Sequence, residues 1–126
     1  MVIDFHIHYC PEELVRPKMS ADGSPRTIFV GEDGNKTGDC VLPLRFQFDK
    51  HIEMMDQAGV DMAVISSGEG MRENLANSRL VNDRLRQLEE QYPGRVRGMA
   101  HTPPLGGAEA FAELERCGRD LGFRGA

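Results

Sequence analysis

The sequence predicts an α/β protein built on a parallel sheet. Segments with strand periodicity alternate with segments of helical periodicity along most of the chain. The run Met62-Ala63-Val64-Ile65 is almost continuously apolar, as suits a parallel strand covered on both faces. An open doubly wound sheet and a closed barrel both fit this pattern, and because no GxGxxG or GxxxxGK[ST] follows the first strand, the nucleotide-binding versions lose support.

The elements are read in order. Val2 to His8 is a strand, with Ile3, Phe5 and Ile7 on one face and Asp4, His6 and His8 on the other. Cys10-Pro11 ends it. Residues 11–44 form a long excursion that is rich in proline and glycine. It contains a hairpin, with Thr27 to Val30 as a strand and Glu32 to Lys36 carrying turn chemistry. Phe48 to Ala58 reads as a helix facing inward through Ile52, Met55 and Ala58, and Gly59 stops it. Val60 to Ser66 is the second strand of the main sheet. Glu73 to Tyr92 is the longest helix, with a stripe of Leu75, Val81, Leu85, Leu88 and Tyr92. Arg95 to Ala100 is the third strand and His101 follows it. Ala108 to Leu121 is a helix facing inward through Phe111, Leu114, Cys117 or Gly118, and Leu121. Gly122 to Ala126 starts a fourth strand. A closed barrel of eight strands needs roughly 250 residues, so these 126 residues hold about half of one, as one partial domain over residues 1–126.

The composition is that of a globular protein and excludes some functions. With a net charge of −5 and both signs mixed along the chain, there is no basic stripe for nucleic acid. No window is long and apolar enough to span a membrane. The first residues lack the basic and apolar regions of a secretory signal, so a cytoplasmic location is expected. Cys10, Cys40 and Cys117 are far apart and form no CxxC pair, which fits reduced thiols rather than a zinc site or a disulfide framework.

The chemistry concentrates at the end of the first strand. His6 and His8 are two residues apart, so the strand period aims both imidazoles at one spot, and neutral imidazole is a good zinc ligand. In a parallel barrel the carboxyl end of the strands carries the active site. Asp4 lies deeper on the same face, where it could fix the tautomer and orientation of a ligating ring. The bland alternative is a surface strand with a solvated polar face. His101, at the end of the third strand, is a candidate catalytic group, either contacting substrate or transferring a proton; equally, it caps the strand or the Pro103-Pro104 turn. Arg45, near the mouth, is a candidate for binding a substrate carboxylate, against the alternative of a surface arginine beside Asp49. Glu12, Glu13 and His51 read as solvated residues, and Met54, Met55 and Met62 as core.

Asp4-Phe5-His6-Ile7-His8 resembles the first-strand motif of the amidohydrolase superfamily. The chain is similar to the amidohydrolase-related group that includes aminocarboxymuconate-semialdehyde decarboxylase and related aromatic-acid decarboxylases. Further stretches resemble that group in order: Met54 to Asp61, Asn82-Asp83, Tyr92 to Val96, Glu113 to Cys117 and Leu121 to Gly125. The resemblance implies the N-terminal half of a TIM-like (β/α)8 metal-dependent hydrolase barrel, with a β-hairpin inserted after strand 1. It implies one divalent metal, most often Zn2+, with Mn2+ or Mg2+ as alternatives, and it leans toward a homodimer. It also implies a ligand set completed by a histidine from a middle strand and an aspartate from the last strand. Both lie outside this sequence, and His101 does not match the third ligand.

The expected function is therefore a hydrolase or non-oxidative decarboxylase of a small carboxylated or cyclic substrate, incomplete in these residues. Two rival readings remain open. One is a fragment without catalysis, whose open sheet edges would invite self-association. The other is a closed small α/β domain whose histidines are only structural.

Overall fold

The computed structural model describes residues 1–15, 45–67 and 74–126, together with the backbone of 27–29 and 38–40. In chain order the elements are β1 (Ile3–His8), α1 (Glu12–Val15), β2 (Thr27–Phe29), β3 (Gly38–Cys40), α2 (Phe48–Ala58), β4 (Met62–Ser66), α3 (Leu75–Gln91), β5 (Val96–Gly98) and α4 (Gly107–Arg119). β1, β4 and β5 form a parallel sheet in that order, and β2 pairs with β3 as an antiparallel hairpin. The expected hairpin strands are thus paired, Thr27 with Cys40 and Phe29 with Gly38, while the turn residues Glu32 to Lys36 lie outside the described residues.

Local chemistry explains the boundaries. Gly59 adopts φ 69°, a left-handed conformation that closes α2 and that glycine reaches without steric cost. The turn it makes delays β4 from the expected Val60 to Met62, because the Val60 amide bonds back to the Met55 carbonyl at 2.9 Å. α3 starts after Asn74, whose side chain accepts a hydrogen bond from the Asn77 amide at 2.9 Å. The predicted start of a fourth strand is visible as one bond, from the Ala100 amide to the Gly125 carbonyl at 2.8 Å.

The helices cover one face of the sheet. Ile7, Ala63, Ile65 and Val96 on that face pack under Met55, Val81, Leu85, Leu88, Cys117 and Phe123. Burying a side chain such as Ile65 or Leu85 completely stabilises the fold by about 1.5–3 kcal/mol. Gly98 leaves the space in which Phe123 sits: a Cβ there would lie 3.1 Å from both the Leu85 Cβ and the Phe123 ring. On the opposite face the alternation is open, as the intermediate Met62, Val64 and Ser66 and the exposed Arg97 show.

Some expected core positions differ. Phe111 is 64% exposed, because the inward stripe of α4 runs through Ala110, Glu113 and Cys117, one residue off the phenylalanine. Met54 and Ala58 are exposed; α2 buries Phe48 and Met55, with Ile52 against the core. Phe5, expected under the helices, is also exposed, for a reason that lies in the strand pairing of β1.

The amino end of the sheet is tied by one arginine. Arg95 donates to the Asp61 carbonyl at 2.8 Å, the Val60 carbonyl at 3.2 Å and the Asp56 carboxylate at 2.6 Å. Asp61 in turn accepts the Val2 amide at 2.6 Å. Among the described residues no helix is long and apolar enough to cross a membrane.

Candidate metal centre

β1 carries one more residue than its partner. It advances three positions from Asp4 to Ile7 while β4 advances two, from Ala63 to Ile65, so β1 bulges. Paired residues of a parallel ladder share a face. Asp4 therefore goes with buried Ala63, and Ile7 with buried Ile65, under the helices. His8 goes with Ser66 on the open face. The extra residue leaves both Phe5 and His6 exposed.

Asp4 holds this bulge. Its carboxylate accepts the backbone amide of His6 at 3.0 Å, the local bond by which an aspartate two residues back stabilises a turn. The bulge thus sets Asp4 on the face of Ala63, where its carboxylate is engaged by the His6 amide. There its charge partly offsets the burial that holds His51 below the ordinary histidine value.

The two imidazoles do converge. The Nε2 atoms of His6 and His8 are 3.1 Å apart, with the ring planes at 83°. Two nitrogens each about 2.0–2.1 Å from one tetrahedral cation would lie about 3.3 Å apart, so the pair fits a shared divalent ion. A Ser66 Oγ lies 3.2 Å from the remaining ring nitrogen, Nδ1, of His8. Among the described residues no group of three His, Cys, Asp or Glu side chains gathers, so these residues offer two ligands and not a full set.

His101 lies behind this pair. It is 5% exposed, and its Nε2 accepts the Ser67 amide at 2.8 Å. Burial and, less strongly, nearby His8 hold it below the ordinary histidine value, so it is neutral at pH 7. The nitrogen that would exchange a proton is engaged with backbone. Through that bond His101 braces the end of β4. Arg45 is half-buried, and its carbonyl accepts the amide of Cys10, two residues after His8, at 2.9 Å. Glu13 is not simply solvated: it pairs with Arg84, which draws its carboxyl below the usual range. Glu12, Glu13 and Arg84 line a pocket with Phe46 and Tyr9, whose phenol burial and the Glu13 charge push up to about 12.

A buried polar chain escaped the reading of the sequence. The Asn82 amide brackets the His101 backbone, accepting its N–H at 2.8 Å and donating to its carbonyl at 2.9 Å. Asn82 also donates to Glu113 at 2.8 Å, and Glu113 accepts from Arg116 through both carboxylate oxygens at 2.8 Å. Burial pushes the Glu113 carboxyl up, but the bonds from Arg116 and Asn82 together outweigh it, leaving it below the usual range. The only prior signal was that Asn82 and Glu113 stand within stretches of family-like sequence on faces otherwise read as apolar.

Residues 3–126 match the family described as Amidohydrolase. Over 85 residues the chain is 33% identical to the gamma-resorcylate decarboxylase of Polaromonas sp. (strain JS666), covering 62% of this chain and 26% of that protein. It superposes with TM-score 0.66 and 27% identity on a dihydroxybenzoic acid decarboxylase from Polaromonas sp. JS666, crystallised with manganese and the inhibitor 2-nitroresorcinol, covering 99% of this chain and 37% of that one. The 5-carboxyvanillate decarboxylase of Sphingomonas paucimobilis shares the fold, with TM-score 0.68 at 18% identity over 97% of this chain and 40% of the other. The chain thus spans about a quarter of the curated relative.

Proposed function

The chain belongs to the amidohydrolase family, and on that premise we propose that it is the N-terminal part of a TIM-barrel enzyme that hydrolyses or non-oxidatively decarboxylates a small carboxylated or cyclic substrate. The observation that carries this reading is the 3.1 Å separation of the His6 and His8 Nε2 atoms at the carboxyl end of β1. His6 and His8 would hold one divalent cation. Zn2+ suits the imidazoles, and Mn2+ is supported by the manganese in a 27% identical neighbour. The cation would supply Lewis-acid polarisation of a substrate oxygen.

The chain's other residues have supporting tasks. Asp4 keeps the bulge that turns His6 to the open face. His101 braces the end of β4 through the Ser67 amide. Arg45 would bind the substrate carboxylate through its guanidinium. Decarboxylation is the favoured reaction, since the curated relative at 33% identity is a decarboxylase of an aromatic acid. The buried thiols of Cys10 and Cys117 support a reducing, cytoplasmic setting. A homodimer is part of the same proposal, and light scattering tests it.

The test uses the longest polypeptide that carries residues 1–126. Metal analysis should find one divalent ion per chain, and hydroxylated aromatic acids should lose carbon dioxide. A metal-free protein that leaves such acids unchanged would overturn the reading. The described residues bring two ligands together, so zinc should bind the 126 residues alone no tighter than roughly micromolar, against the nanomolar or tighter binding of complete sites.

A further inference from the structure

We propose that Ser66 is a positioning residue for the metal centre: its hydroxyl accepts the Nδ1–H of His8 and thereby turns the His8 Nε2 lone pair toward the cation shared with His6. This rests on the reading of His6 and His8 as ligands.

Neutral imidazole carries one N–H, and the hydrogen bond made by one ring nitrogen decides which nitrogen is left with its lone pair. At 3.1 Å the two Nε2 atoms have two options. One ring can donate an Nε2–H to the other, which closes the pair to a cation. Alternatively both Nε2 lone pairs point outward together, and then each Nδ1 must hold the proton. An acceptor at Nδ1 holds His8 in the second arrangement. Ser66 Oγ stands there at 3.2 Å, on the same face because the two residues are register partners across β1 and β4.

The serine is fixed on both sides. Its carbonyl accepts the Tyr9 amide at 3.1 Å, and the next amide, of Ser67, is bound by buried His101. His101 is itself bracketed by Asn82, which Glu113 holds. The hydroxyl is therefore presented from a rigid strand end, and a ligand's outer partner is useful in proportion to its own fixity.

The experiment measures Zn2+ and Mn2+ affinity by chelator competition for the unchanged protein, Ser66→Ala, Ser66→Thr and His8→Ala, with long-range nitrogen–proton spectra of the histidine rings in the zinc-loaded state. Ser66→Ala should bind about 10–100-fold more weakly, the usual effect of removing an outer partner. Ser66→Thr, which keeps the hydroxyl, should restore affinity, and His8 in the unchanged protein should carry its proton on Nδ1. If Ser66→Ala binds as tightly as the unchanged protein while His8→Ala does not, the role of Ser66 is refuted and the ligand assignment stands. If His8→Ala also binds unchanged, the ligand assignment itself falls. Should Ser66→Ala fail to fold, the ring spectrum decides: an Nε2–H on zinc-loaded His8 overturns the proposal.

Discussion

The two ends of the parallel sheet are built on opposite principles. At the amino end, Arg95 satisfies the Asp61 and Val60 carbonyls and the Asp56 carboxylate, and Asp61 takes the Val2 amide. Each polar group there has a partner within the chain, and the result is closure. At the carboxyl end, the Nε2 atoms of two imidazoles are 3.1 Å apart, and Ser67 keeps a buried hydroxyl that has no hydrogen-bond partner among the described residues. A buried hydroxyl without a partner costs stability, and it stands at the end of the sheet where we propose that His6 and His8 hold a cation. Polar side chains thus act as mortar at one end and, on the proposed reading, as ligands at the other.

Substitutions can sharpen that contrast. The largest effect should come from changing His6 and His8 together to alanine: metal should fall to background in elemental analysis of the longest polypeptide, a loss beyond the roughly 10–100-fold expected for an outer partner. Retained metal would show that the carboxyl end is not the binding end. Next, Glu113→Ala should destabilise the protein by about 3 kcal/mol in urea titrations, because it leaves Asn82 and Arg116 without their buried acceptor. The same carboxyl gives a pH dependence. Its folded pKa lies below the unfolded value, so its contribution is complete above the ordinary glutamate pKa of about 4.3 and is lost as pH falls through the lower folded value. Acid titration of Glu113→Gln should lack that portion of the loss.

Smaller effects belong to the amino end and the surface. Arg95→Ala should cost about 1 kcal/mol, since its bonds are charge-assisted but partly exposed, and it should leave metal affinity as it was. A parallel drop in affinity would deny that the two ends are separable. Phe111→Ser should shift stability by no more than about 0.5 kcal/mol, because the ring packs little; a large loss would restore it to the core.

What the sequence made legible follows from the range of each signal. Helices and strands came from periodicities a few residues long, and Gly59 marked its own turn. The convergence of His6 and His8 is also local, two residues along one strand. The bulge in β1 was invisible, because Asp4 to His8 reads as faultless alternation and the slip exists only relative to β4. Phe111 was misplaced for a related reason. Helical spacing put an aromatic on the inward stripe, yet a charged Glu113 occupies it, supported by partners on α3. Ser66 and Asn82 act on residues 58 and 19 positions away, and no pattern within one element encodes such pairs.

Glu89 has a consequence for how this sheet meets other chains. Its carboxylate accepts the Gly98 amide at 2.7 Å, and that amide points away from β4, on the same side as the Ala100 amide that meets Gly125. A side-chain oxygen thus stands where the carbonyl of an adjoining strand would stand. An intruding strand that tried to dock along β5 would find its hydrogen-bond partner taken and a negative charge in its path, and stranding one such group costs about 1–3 kcal/mol. One glutamate therefore makes this margin of the sheet selective about what may extend it.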